Sequence, residues 1–110
     1  MNVQSKRIDF LYNKKLNGLH VESCLYNRKE LQLSKDPENQ QWSSIVERIF
    51  EKYEGTEMGN LLHLKYELKL PEQQIFERLN VEKTTYYVWR NRLVNEMTLQ
   101  AAYQRLIKPF

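Results

Sequence analysis

The feature that most restricts the fold is an apolar stripe that follows Asp36 and repeats with the period of an α-helix. Its spacing is i, i+3, i+4, i+7, i+8 and i+11, and its members are Trp42, Ile45, Val46, Ile49, Phe50 and Tyr53. The Asp36 carboxylate can cap free backbone amides, Pro37 suits a first helical position, and Gly55 stands where a C-terminal cap is expected. The segment therefore predicts a helix with one buried face.

The composition favours helices in the rest of the chain as well. Only three Gly and three Pro occur in 110 residues. Hydrophobic residues make up 41% and charged residues 28%, which is typical of a globular chain rather than a disordered one. We therefore predict a small all-α fold, with an N-terminal helical or irregular segment over residues 1–36 and a helical domain over residues 37–110.

The N-terminal segment has a less regular pattern. Its apolar residues predict a short helix over 8–16 that is closed by Gly18, then another over 21–28, and residues 33–39 read as a turn or linker. Cys24, the single cysteine, is expected to be a small buried or half-buried apolar residue. Four basic residues are candidates either for contacts with phosphates or for a merely soluble surface: Lys6, Arg7, Lys14 and Lys15.

Three further helices are predicted in the second half. One begins with Thr56 as its cap and runs over 56–66, with Gly59 as a locally weak position. A short helix over 71–79 follows, and the last continues from 82 or 83 to 108 without Gly or Pro. So long a helix needs a partner for its distal apolar side chains, either the N-terminal segment or a second subunit. These side chains are Met97, Ala101, Ala102, Leu106 and Ile107.

Residues 71–93, PEQQIFERLNVEKTTYYVWRNRL, have the pattern of a helix-turn-helix. Two short helices that cross steeply need apolar residues at set points, which here are Ile75, Leu79, Val81, Tyr86 and Trp89. The tight turn needs a residue that tolerates positive φ, and Asn is the most permissive type after Gly. The sequence therefore predicts a turn at residues 79–81, centred on Asn80.

The second helix of the motif has two different faces on a helical wheel. Its buried side is predicted to carry Tyr86, Trp89 and Leu93, and its opposite face Thr84, Tyr87, Val88, Asn91 and Asn95. Cations stand at the flanks, where a helix in the major groove approaches phosphates. Asn91 is suited to an adenine edge, and Val88 or the Thr84 methyl to a thymine methyl. The predicted DNA-binding residues are Lys83, Thr84, Tyr87, Val88, Arg90, Asn91 and Arg92.

Residues 57–95 resemble region 4 of bacterial sigma factors, with LLHLKY matching the helix before the motif and ELKLPEQQI its entry. They look more specifically like the ArpU/RinA-like late-gene transcription regulators of phages and prophages of Gram-positive bacteria. This resemblance implies a helix-turn-helix that binds upstream of packaging and lysis genes and activates them. The chain differs from the usual pattern in having Asn80 for Gly, a large Phe76, and the bulky pair Tyr86 and Tyr87. Phe76 is expected to alter how closely the two helices approach.

Together these observations favour a sequence-specific transcription regulator that docks residues 83–95, the recognition segment, in the major groove of double-stranded DNA. A net charge of +3 is compatible with this partner but is common in other proteins. Bacterial RNA polymerase is a further expected partner. A homodimer on two half-sites is also expected, through the distal part of the last helix or the helix of residues 42–53.

Two other interpretations remain. The same helices can form an interaction module that binds RNA polymerase or another regulator without touching DNA, and exposed polar residues also describe a solvated helix face. An enzyme is not expected, because His20 and His63 have no metal-ligand neighbours at suitable spacing and no Gly-rich phosphate loop occurs. Glu47, Glu51 and Glu54 are expected on a solvated helix face.

No cofactor or metal is therefore predicted. No apolar run approaches the roughly 18 to 20 residues that span a bilayer, and the N-terminus lacks the apolar stretch of a signal peptide. We expect the protein in the cytoplasm of a bacterial or phage-infected cell.

Overall fold

The computed structural model describes the backbone of residues 3–107 and the side chains of residues 15–107. Its helices are α1 (Val3–Tyr26), α2 (Arg28–Leu33), α3 (Pro37–Tyr53), α4 (Glu57–Leu62), α5 (Glu72–Leu79) and α6 (Lys83–Tyr103). A π-helical turn, His63–Glu67, extends α4. Residues 3–107 contain no strand, so the all-α prediction is confirmed.

The N-terminal segment forms one helix rather than the two short helices predicted. α1 passes through Gly18 without a break, and a Cβ at that position would lie 3.6 Å from Val94 Cγ1, an ordinary contact. A glycine inside a helix costs only about 0.5 to 1 kcal/mol relative to Ala. The burial of Val21 and Leu25, both 0% exposed, outweighs that cost.

The chain turns at Asn27 and then forms α2, a helix that the sequence pattern did not predict. Only Ser34–Asp36 remain as a linker before α3, so the predicted linker of residues 33–39 was too long. Arg28, expected to lie within a helix of residues 21–28, instead begins α2 and donates two hydrogen bonds of 2.8 Å to Glu47. This ion pair ties α2 to α3.

α3 confirms the sequence prediction closely. Its Asp36 cap accepts hydrogen bonds from the backbone amides of Glu38, at 2.8 Å, and Asn39, at 3.2 Å. The first four residues of the apolar stripe are buried, whereas Phe50 and Tyr53 are half-buried at its end. The helix therefore places most of its apolar face inside this chain.

Gly59 has a stronger structural role than that of a weak position in a helix. The Thr56 hydroxyl caps α4, as predicted, by accepting a hydrogen bond from the Gly59 amide at 3.1 Å. A Cβ on Gly59 would lie 2.2 Å from the carbonyl oxygen of Tyr53, which is too close for any side chain. Glycine thus allows the close approach of α4 to the end of α3.

α6 ends at Tyr103, before the predicted end at Lys108, which lies outside the described residues. Arg105 has a φ of 61°, and the amide of Leu106 donates to the carbonyl of Ala101 at 2.9 Å. These features form a Schellman motif, which ends the helix and folds Leu106 back onto the core. α6 packs against α1 and α3, so the chain itself supplies the partner for the buried residues Met97 and Ala101.

One hydrophobic cluster joins α1, α3, α4, the π-helical turn, α5 and α6. It contains Val21 and Leu25 from α1 as well as Leu93 from α6, all 0% exposed. Within the part of the chain that the structure describes, no helix is both long and apolar enough to cross a membrane.

Candidate nucleic-acid interface

The turn between α5 and α6 is formed as predicted. Asn80 has φ 54° and ψ 47°, in the left-handed region. The amide of Val81 donates to the carbonyl of Phe76 at 3.2 Å, and the amide of Asn80 donates to the carbonyl of Glu77 at 3.3 Å. This pair of hydrogen bonds is a Schellman motif with Asn80 at its left-handed position. The turn ends α5 and sets the register of α6.

The apolar residues of the motif all contact the core, as predicted, but to different depths. Ile75 and Tyr86 are fully buried, whereas Leu79, Val81 and Trp89 are half-buried at its edge. The large Phe76 ring meets the Tyr86 ring edge to face, with 4.9 Å between centroids and 73° between planes. Phe76 and Tyr86 therefore fill the space between α5 and α6 together.

Most of the predicted DNA-binding residues lie on one exposed surface of α6. We call this surface the outward face, and it consists of Lys83, Thr84, Val88, Asn91 and Arg92. Val88 is the apolar member of this face, with 50% of its surface exposed. The outward face thus combines an apolar tip, uncharged polar groups and two cations.

Two predicted DNA-binding residues are instead held by carboxylates of the protein. Tyr87 is half-buried, and its hydroxyl donates to Glu72 Oε2 on α5 at 2.8 Å. This hydrogen bond raises the pKa of Tyr87. The Arg90 guanidinium contacts Glu22 Oε2 on α1, at 2.8 Å from Nε and 2.6 Å from Nη2. Arg90 Nη1 also donates to Asn91 Oδ1 at 3.1 Å, which orients the Asn91 amide.

A buried lysine that the sequence pattern did not predict lies behind the motif. Lys65 is only 6% exposed, and its Nζ lies 4.0 Å from Glu22 and 3.9 Å from Glu72. The rings of Tyr26, Tyr66 and Tyr86 surround it at 5.4 to 5.8 Å from their centroids. We call Glu22, Lys65, Glu72 and Arg90 the anchor cluster. The available sequence signal was a lysine between Leu64 and Tyr66 in the mostly apolar run LLHLKY.

Lys65 remains charged despite its burial. Burial by itself lowers the pKa of its ammonium group, but the hydroxyls of Tyr86 and Tyr26 raise it above the ordinary value of 10.5. A buried charge is stable only when it is paired and hydrogen-bonded. Glu22 and Glu72 supply the opposite charges from α1 and α5. Because Glu22 also binds Arg90 of α6, the anchor cluster links four parts of the chain.

The cysteine, glutamate and histidine residues that were considered for catalysis or metal binding differ in their burial and contacts. Cys24 is buried, as expected, and burial raises the pKa of its thiol to about 11. Glu51 and Glu54 are exposed, as expected. The expectation for Glu47 was wrong, since its side chain is half-buried and pairs with Arg28. His20 packs edge-on against Trp42. Residues 15–107 contain no group of three or more His, Cys, Asp or Glu that could hold a metal ion.

The two surfaces considered for a dimer differ in exposure. The apolar stripe of α3 is largely buried inside this chain. On the distal part of α6, Leu99 is 69% exposed and Tyr103 is 93% exposed. Among the basic residues near the N-terminus, Lys15 is exposed, whereas the side chains of Lys6, Arg7 and Lys14 lie outside the described ones.

Comparison with known protein families gives a match over most of the chain. The family described as "Protein of unknown function (DUF1492)" matches residues 13–98, which include the helix-turn-helix and the anchor cluster. No curated protein and no solved structure matches the chain.

Proposed function

This chain belongs to the DUF1492 family, and we propose that it is a sequence-specific transcription regulator that binds double-stranded DNA. The observation that carries the proposal is the left-handed turn at Asn80, which joins α5 to α6. The outward face of α6 lies just after this turn and is exposed. Helices held in this way insert their first turns into the major groove.

The outward face supports a division of roles among its residues. Thr84, Val88 and Asn91 are suited to base edges, because they offer a methyl group, an apolar tip and an amide. Lys83 and Arg92 are suited to phosphates at the groove walls, since both are exposed cations. Base contacts then provide specificity, and the phosphate contacts provide a salt-dependent part of the affinity.

The decisive experiment selects bound duplexes from a random pool and then measures binding to the selected site at several salt concentrations. We expect an enriched sequence and an affinity that falls steeply with salt, because phosphate contacts release counterions. The absence of duplex binding at about 50 mM salt would contradict the proposal. The better explanation would then be a helical module that binds another protein and does not contact DNA.

We further propose that the protein binds DNA as a homodimer through Leu99 and Tyr103. Residues 88 and 101 are about 20 Å apart along α6, so a two-fold axis near residue 101 can separate two recognition segments by up to about 40 Å. Half-sites one helical turn apart need about 34 to 36 Å.

Light scattering at tens of micromolar tests the dimer. A variant with Leu99→Ser and Tyr103→Ser is expected to be monomeric and to bind the selected site more weakly than the parent protein. Leu33→Ser is the matched control, because Leu33 is 84% exposed on α2, which takes no part in the proposed interface. A parent protein that is monomeric under these conditions contradicts the dimer.

The finer identity rests on the resemblance to ArpU/RinA-like regulators of phage and prophage late genes. It supports activation of transcription, with bacterial RNA polymerase as the partner. Transcription in vitro from a promoter beside the selected site is expected to rise when the protein is added. A fall in transcription would contradict activation and indicate a repressor.

A further inference from the structure

We infer that Glu22 is a positioning residue for the recognition segment, and that Arg90 acts through Glu22 inside the protein rather than on a DNA phosphate. The inference rests on the proposed function, since it concerns how the DNA-binding helix is held. It reassigns one of the cations that the sequence pattern placed at the groove wall.

The geometry around Arg90 distinguishes it from its neighbour Arg92. The guanidinium makes two short contacts with one Glu22 oxygen, at 2.8 and 2.6 Å. The Glu22 side chain is 14% exposed and that of Arg90 is 30% exposed, so water screens the pair only in part. Arg92 is exposed on the outward face. Only Arg92 therefore presents its charge mainly to solvent.

Glu22 is shared between two cations. Its Oε2 atom contacts Arg90 on α6, and its Oε1 atom lies 4.0 Å from Lys65 in the π-helical turn. Lys65 in turn faces Glu72 on α5 at 3.9 Å. One carboxylate on α1 is thus connected to both helices of the motif. Loss of its charge would leave the buried Lys65 with Glu72 as its remaining carboxylate within 4.0 Å among the side chains of residues 15–107.

The ion pair between Glu22 and Arg90 restricts the orientation of α6 relative to α1 more than apolar packing alone does. Hydrophobic contacts are not directional, whereas a guanidinium bound through Nε and Nη2 fixes its partner in the plane of the group. Arg90 also donates to Asn91, a proposed base-reading residue. The tie from α1 therefore sets the rotation of α6 about its axis and the orientation of the Asn91 amide.

The test compares Glu22→Gln, Arg90→Gln and the double variant with the parent protein, and uses Arg92→Gln as the matched control. Arg92→Gln is expected to reduce the salt slope of binding by about one, as the loss of a phosphate contact does. Arg90→Gln is expected to leave the slope unchanged and to lower the ratio of specific to non-specific affinity about tenfold. Glu22→Gln is expected to lower this ratio similarly, and the double variant no further.

Two results of the binding measurements would overturn the inference. One is a salt slope that falls with Arg90→Gln as it does with Arg92→Gln. The other is additive loss of specificity in the double variant, which would mean that the two residues act independently. Arg90→Lys is a further check that keeps the positive charge. Lysine can contact a phosphate but cannot make the two-nitrogen contact with Glu22. We therefore expect specificity to fall while the salt slope of binding stays constant.

Urea unfolding needs no DNA, so it tests this inference separately from the proposed function. It compares the parent protein with Glu22→Gln, Arg90→Gln and the double variant. Coupling between Glu22→Gln and Arg90→Gln in the unfolding midpoints supports the tie between α1 and α6. The absence of coupling overturns it even if the parent protein binds DNA. A parent protein that binds no duplex contradicts the proposed function, whatever the unfolding shows.

Discussion

The two halves of α6 have the same helical period but opposite kinds of exposed surface. In the first half the outward face carries polar and cationic side chains, and in the second half Leu99 and Tyr103 are exposed instead. Each half is also held by a carboxylate. Glu22 of α1 binds Arg90 in the first half, whereas Glu96 in the second half binds Lys52 and Tyr53 of α3. The comparison shows that one helix on one core can expose polar and cationic side chains in one half and large apolar side chains in the other.

The largest effect is expected from a cavity in the distal half. Met97→Ala should lower the free energy of unfolding by about 2 to 5 kcal/mol, because Met97 is 0% exposed. Leu99→Ala is the control, since exposed Leu99 should change stability by no more than about 0.5 kcal/mol in the monomer. Urea unfolding at low protein concentration measures both. Equal losses would show that the second half does not have separate buried and exposed faces.

The next effect concerns base recognition in the first half. Asn91→Ala should reduce discrimination at one position of the selected site by about 1 to 3 kcal/mol, through loss of a bidentate pair. Asn95→Ala, one turn further along and also exposed, should leave the preference unchanged. Competition binding with single-base variants of the site measures this. Equal effects of the two substitutions would contradict a recognition segment centred on Thr84, Val88 and Asn91.

The two left-handed residues on either side of α6, Asn80 before it and Arg105 after it, should respond differently to glycine. Arg105 has a φ of 61° beyond the helix, a conformation that costs roughly 1 to 2 kcal/mol in an ordinary residue. Arg105→Gly should therefore raise the unfolding free energy by about 1 kcal/mol. Asn80→Gly should gain only a few tenths of a kcal/mol, because Asn already tolerates this region. A larger gain at Asn80, measured by thermal unfolding, would reverse the comparison.

The smallest expected effect is a change in the acid dependence of stability. Burial raises the pKa of Glu96, but hydrogen bonds from Lys52 and Tyr53 lower it below its ordinary value of 4.5. A group whose pKa is lowered by folding stabilises the protein above its unfolded pKa, and this contribution is lost as the pH falls through the folded pKa. Glu96→Gln should therefore flatten the stability curve below about pH 4.5. An unchanged acid limb in urea titrations at several pH values would show that Glu96 does not stabilise the distal half.

Local rules explain which elements could be predicted from the sequence. The caps at Asp36 and Thr56 and the left-handed turn at Asn80 depend on residue types within a few positions, so their outcome was predictable. The continuity of α1 was not, because the cost of Gly18 is offset by contacts with distant parts of the chain. The same reasoning applies to the site: the exposure of Thr84, Val88 and Asn91 follows from helical periodicity alone.

By itself, the sequence determined that the chain is helical, where its clearest caps and turn lie, and which face of the recognition segment points outward. Only the tertiary structure decided that Arg90 is bound by Glu22, that Lys65 is a buried cation, and that α6 packs on α1 and α3. The physical reason is the range of the interactions. Caps and periodicity act over a few residues, whereas an ion pair between residues 22 and 90 exists only after distant helices have packed together.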